Sequence, residues 1–187
     1  MRITGGAFAG RRLRAPVGRS VRPTQDRVRE ALFNRFAARV PGCRFVDLFA
    51  GSGAVGLDAL SRGAAEVIWV ERDARVRRGL HANILAVGGD ARAIVGADVF
   101  RWLGGPAGRT LDADMVFADP PYAQCDCCAA LPAMLARPGR MRDGGLLIVE
   151  LPAAAAPLAA TTPWKPLDVR MYGQTQLCCL EFGTLSS

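Results

Sequence analysis

The sequence predicts an α/β fold, a seven-stranded, mostly parallel, doubly wound sheet with helices on both faces, preceded by a small basic extension. Three observations predict it. Short β-branched and aromatic runs alternate with segments of helical period along most of the chain, the order that yields parallel strands joined by crossover helices. A glycine-rich turn follows the first of those runs and opens a helical segment. The third observation is charge. Residues 1–40 hold ten arginines against Asp26 and Glu30, a net +8, so a total of +7 leaves −1 for residues 41–187.

The elements follow in order. Residues 2–15 read as a glycine-broken hairpin. Residues 22–42 read as a helix with Thr24 as a cap, Val28, Leu32 and Phe36 on one face, and Pro41-Gly42 as its end. Then come a strand at 44–49, a helix at 53–63, a strand at 66–71 and a helix at 72–89. A strand at 91–98, a short helix at 99–105 and a strand at 113–119 complete the middle. Residues 125–139 read as helical despite Pro132, and 144–151 as a further strand. After an Ala/Pro-rich connection at 152–163, residues 165–173 and 175–182 form a closing antiparallel pair. Residues 1–40 are thus expected to be a basic extension and 41–187 the main domain.

Composition bounds the function. The 187 residues, half of them apolar, support one sizeable core. No apolar run reaches the roughly 18 residues of a membrane span, and the first residues carry no apolar export segment. A cytoplasmic monomer is the expectation, with the six cysteines reduced. Cys125 and Cys128 have the spacing of a zinc pair, and Cys127 lies between them, but His81 is the only histidine. With no second ligand pair in view, no metal is expected. Lys165 is the only lysine, so the basic excess is arginine, whose fork binds phosphate bidentately and stacks on bases. Such an arm on a nearly neutral body is a nucleic-acid footprint, with Arg11, Arg12, Arg14 and Arg22 as candidate contacts; a solvated basic face is the plain alternative.

Gly51, Gly53 and Gly56 match G-x-G-x-x-G after the first strand, and Glu71 ends the next strand 20 residues after Gly51, where an acid would hold ribose hydroxyls. That pattern alone fits a nicotinamide enzyme equally well. Two acids separate the readings. Asp47, four residues before Gly51, favours an ammonium and disfavours a pyrophosphate, and Asp98 is placed to accept from an adenine amino group. S-adenosylmethionine carries the ammonium, the ribose and the adenine without a pyrophosphate.

The stretch "DPPY" at 119–122 then acquires a use. Asp119 is expected to end the fourth strand beside the first, at the crevice where such sheets bind ligands. A nucleobase amino group there would donate one N–H to Asp119 and the other to the Pro120 carbonyl, whose direction the following proline fixes. Those acceptors favour a pyramidal nitrogen with its lone pair aimed at the sulfonium methyl. Tyr122 offers a stacking face. A carbon-5 cytosine mechanism needs a cysteine nucleophile; Cys125 is nearest, without flanking groups that would activate it.

"DPPY", "DLFAGSG" and their spacing resemble the amino-group nucleic-acid methyltransferases. "MRITGG…GRRL", "RPTQDRVREALFN", "DLFAGSGAVGLDALSRGA", "VERD" and "YGQTQL" more narrowly resemble the RsmD-type family, from residue 1 to about 182. The resemblance implies a Rossmann-like class I methyltransferase fold. It also implies methylation of the 2-amino group of a guanine in 16S ribosomal RNA, naked or within an assembling small subunit. Asp47, Gly51, Gly53, Glu71, Asp98 and Thr24 would line the cofactor site, and Asp119, Pro120 and Tyr122 would hold the base. Asn83 matches a family position and reads as structural. "AQCDCC" after "DPPY" departs from the polar residues expected there. Amino-group methylation of DNA adenine or cytosine remains open, and a nicotinamide oxidoreductase leaves Asp47, the Pro-Pro corner and the arm without a role.

Overall fold

The computed structural model describes residues 1–15, 23–121 and 126–183, with the side chains of 23–25 and 107 outside the description. Seven strands form one sheet, in which the strands, counted along the chain, lie in the order third, second, first, fourth, fifth, seventh, sixth, and the chain divides into two compact units, 1–98 and 99–187.

The first unit holds α1 (Pro23–Arg35), β1 (Arg44–Leu48), α2 (Ala54–Ser61), β2 (Glu66–Val70), α3 (Ala74–Ala86) and β3 (Ile94–Val95). β1 pairs with β2, and β2 with β3, all parallel. Apart from Arg44, the β1 residues are buried on both faces, as expected of a central parallel strand. α1 starts at Pro23, whose fixed φ and missing N–H suit a first helical position, so Thr24 lies inside the first turn and is not its cap. The expected apolar face is present: Val28, Leu32 and Phe36 are buried, with Phe33 beside them. The hairpin at 2–15 is reduced to a single antiparallel bridge between Arg2 and Arg12, closed by Ile3 N–H to Arg11 O (3.0 Å) and Leu13 N–H to Met1 O (3.2 Å). The third strand is shorter than expected because Asp90 accepts from the Arg92 N–H and draws 91–93 into a tight 3-10 turn.

The second unit holds α4 (Val99–Gly104), β4 (Ala113–Ala118), α5 (Leu131–Leu135), β5 (Met141–Pro152), β6 (Trp164–Tyr172) and β7 (Thr175–Phe182). β4 and β5 are parallel, and β7 runs antiparallel to both β5 and β6, so the closing pair is as expected. Proline explains the main departure. The helix expected at 125–139 is a 3-10 turn at Asp126–Ala130 followed by α5, which places Pro132 in a first turn where its missing donor does no harm. β5 starts before Gly144 because Met141 pairs with Ala113 ahead of a register break. β6 lies at the sheet edge and tolerates Pro166, which sits at a register shift against β7.

Candidate active site

The turn after β1 is built from unusual backbone. Phe49 has φ +61°, Gly51 +57° and Gly53 +77°, and Gly53 is the residue that opens α2. Glycine takes that left-handed region without the penalty a Cβ brings. Packing adds a second demand. A Cβ on Gly53 would lie 2.2 Å from Leu80 Cδ1, and one on Gly56 would lie 2.2 Å from Trp69 Nε1. Gly53 and Gly56 therefore let α2 settle against α3 and β2.

Two predicted acids hold this turn. Asp47, buried inside β1, accepts from the Gly56 N–H at 2.9 Å, taking up a free donor in the first turn of α2. Glu71, just past β2 and half-buried, accepts from Gly51 N–H (3.0 Å) through one oxygen and from Asp73 N–H (2.8 Å) through the other. Asp47, Gly51, Gly53 and Glu71 are thus brought together in one hydrogen-bonded turn. Asp98 is placed differently from the sequence expectation. It lies three residues beyond the short β3, immediately before α4, with Oδ2 3.9 Å from Arg72 Nη1. Arg72 adjoins Glu71 in sequence, so Asp98 reaches the turn's neighbourhood through that ion pair. Thr24 is in the first turn of α1, with its side chain outside the description.

An arrangement with two carboxylates facing backbone amides suits a ligand that donates. Ribose hydroxyls and an ammonium add donors to oxygens that retain lone pairs, whereas a pyrophosphate would meet like charge. This set of acceptors fits S-adenosylmethionine better than a dinucleotide.

In the second unit, β4 ends in four consecutive buried residues, Met115 to Ala118, and then releases the chain at Asp119. Asp119 is half-buried and Pro120 is buried. Tyr122 and Cys125 lie outside the described residues, Cys127 is exposed and Cys128 is buried.

The arginine arm is docked as well as charged. Asp58, fully buried in α2, accepts from Thr4 N–H (2.7 Å) and Thr4 Oγ1 (2.9 Å), and from Arg62 Nη1 at 2.7 Å. Its other oxygen accepts from the buried Arg29, which also donates to Asp26 (2.6 Å) and to the Arg2 carbonyl (2.9 Å). Sequence reasoning left Asp58 unread; a carboxylate within the apolar run of α2 was the available signal, since buried charge needs partners. Arg29 therefore serves the fold. Arg11, although exposed, donates to the Ala86 carbonyl at the end of α3 and lies 5.9 Å from the Phe8 ring centroid, a favourable place for a cation. Arg12 and Arg14 are exposed, and Arg22 lies outside the described residues.

The mostly parallel sheet with a carboxylate-braced glycine turn after its first strand is Rossmann-like, and likeness to the solved structure of the putative methyltransferase yhhF from Escherichia coli, with a TM-score of 0.85 at 28% identity over 98% of each chain, places it among the methyltransferases of that fold. The family model described as "Conserved hypothetical protein 95" matches residues 1–181, and the chain belongs to that family, the RsmD-type methyltransferases. It is 34% identical over 168 residues to YlbH of Bacillus subtilis (strain 168), covering 86% of this chain and 91% of that protein. It is 39% identical over 122 residues to Ribosomal RNA small subunit methyltransferase D of Escherichia coli (strain K12), covering 65% of this chain and 60% of that protein.

Proposed function

We propose that this protein transfers a methyl group from S-adenosylmethionine to the exocyclic 2-amino group of a guanine in small-subunit ribosomal RNA. The observation that carries this reading is the carboxylate-braced glycine turn, Asp47 and Glu71 on the amides of Gly56 and Gly51, in a chain of the RsmD-type family. When bound, the cofactor supplies an electrophilic methyl on a sulfonium. Glu71 binds the ribose hydroxyls, Asp47 faces the ammonium, Gly51 and Gly53 give the backbone its close approach, Asp98 accepts from the adenine amino group, and Thr24 completes the lining.

Asp119 and the Pro120 carbonyl hold the two hydrogens of the target amine, and Tyr122 stacks on the base. Held this way, the amine would direct its lone pair at the methyl that the sulfonium supplies, and Asp119 or solvent would take the surplus proton from the nitrogen. Holding a weak nucleophile in line is the main contribution of these residues. Residues 1–40 act as the RNA-binding extension of a methyltransferase domain at 41–187, with Arg12, Arg14 and Arg22 on phosphates and Arg11 shared between phosphate and Ala86.

The test is methyl transfer from radiolabelled cofactor to purified small-subunit ribosomal RNA and to DNA, followed by nucleoside identification. N2-methylguanosine is expected. Label in DNA alone, or on another RNA nucleoside, overturns the substrate assignment; tight NAD binding without transfer overturns the reaction.

A further inference from the structure

Asn83 lies in α3, 3% exposed as a residue, and its carboxamide serves two segments at once. Its Oδ1 accepts from Arg14 N–H at 2.8 Å, and its Nδ2 donates to Arg14 O at 3.1 Å, gripping that residue's backbone as a neighbouring strand would. The same Nδ2 donates to Ser52 O at 3.0 Å, between Gly51 and Gly53. A second contact runs in parallel, from Ser52 Oγ to Met1 Sδ at 3.3 Å. A buried carboxamide needs partners for both its donors and its oxygen, and here they lie on only two segments, the backbone of Arg14 and that of Ser52. Here one buried group joins the arginine arm to the turn assigned above to the cofactor.

We propose that Asn83 is a positioning residue that couples the two, so that a ligand on the glycine turn orders Arg14 and raises affinity for RNA. The proposal rests on the reading of the turn and arm given above. Fixing the Ser52 peptide fixes the Asn83 amide, and that amide fixes the backbone of Arg14. An arm ordered in advance loses less freedom when phosphate contacts form. Coupling between two ligands is reciprocal, so RNA raises cofactor affinity by the same factor.

The experiment measures the dissociation constant of in vitro transcribed small-subunit ribosomal RNA with and without saturating S-adenosylhomocysteine. The parent is expected to bind RNA about fivefold tighter or more with the thioether present, the lower end of ordinary coupling. Asn83→Ala is expected to bring that ratio to about one, and so is Asn83→Asp, which keeps the acceptor for Arg14 N–H but loses both donors. Leu85→Ala, on the exposed face of the same helix, keeps the parental ratio. A residue that merely braces the fold lowers both affinities and leaves the ratio intact, and that result overturns the proposal. So does a parental ratio of one, which leaves the proposed function standing because both ligands still bind. Failure of the parent to bind either ligand overturns the underlying reading as well. Amide exchange on the parent gives a test without any variant: the Arg14 N–H should slow several-fold with the thioether bound, and unchanged exchange overturns the coupling.

Discussion

Replacing Gly53 by alanine imposes two separable costs, and its neighbours in the motif isolate each. At Gly51 the backbone is left-handed, φ +57°, but the nearest atom to an added Cβ is Phe49 O at 3.9 Å. Gly51→Ala therefore incurs the torsional cost alone, about 1–2 kcal/mol. Gly56 has no left-handed φ, yet its Cβ would lie 2.2 Å from Trp69 Nε1 and 2.9 Å from Val67 Cγ1. Trp69 is 2% exposed and cannot swing into solvent. Overpacking there costs about 1–3 kcal/mol, offset by about 1 kcal/mol of helix propensity, a net loss of up to about 2 kcal/mol. Gly53 combines φ +77° with a Cβ 2.2 Å from the fully buried Leu80. The two terms sum to about 2–5 kcal/mol. Urea unfolding of the three variants reads the order directly, provided m is unchanged. If Gly53→Ala falls within about 0.5 kcal/mol of Gly51→Ala, the usual scatter of independent changes, the close approach of α2 to α3 is not what fixes the motif's second glycine.

Asp58→Asn should destabilise the fold by about 3–5 kcal/mol, because Arg29 and Arg62 would be left around a neutral group in a buried site; a midpoint shift in urea well under that value would mean the network is dispensable. Asp73 caps α3, and acceptance from Arg75 N–H, then from Val76 N–H, holds its carboxyl below the ordinary value. A lowered folded-state pKa stabilises at neutral pH and is lost as pH falls through that range, so the thermal-midpoint gap between parent and Asp73→Ala should narrow in acid and stay constant from pH 6 to 8. Removing Arg12 and Arg14 together should flatten the log-affinity against log-salt slope for ribosomal RNA by roughly one to two units, measured by salt titration; identical slopes would make the arm a solvated basic face.

The glycine turn was legible because its demands are local: three glycines at fixed spacing after a strand, with an acid at the end of the next. In the fold Glu71 accepts from Gly51 N–H, and Asp47 accepts from Gly56 N–H in the first turn of α2. The docking of the arm was not legible, because Thr4 finds Asp58 across 54 residues and Arg14 finds Asn83 across 69. No periodicity in a single sequence encodes such a pairing. Asn83 matches a family position and reads as structural from the sequence, while its two partners emerged only with the fold. The short β3 and the divided helix at 126–135 have local causes that could have been weighed more heavily: the Asp90 side chain competing for a backbone N–H, and Pro132 needing a first-turn position.

In the function proposed above, the Asp119-Pro120 corner presents the amine while the glycine turn holds the cofactor. The most direct test of that division is single-turnover methyl transfer to small-subunit ribosomal RNA by parent and Asp119→Ala, with S-adenosylhomocysteine affinity measured on both by calorimetry. The expected result is a rate loss of at least about a hundredfold, as for deletion of one preorganised hydrogen-bonding group, with thioether affinity unchanged within a few fold. Near-parental turnover by Asp119→Ala would contradict the account, because an amine that needs no acceptor at that corner is not positioned by it.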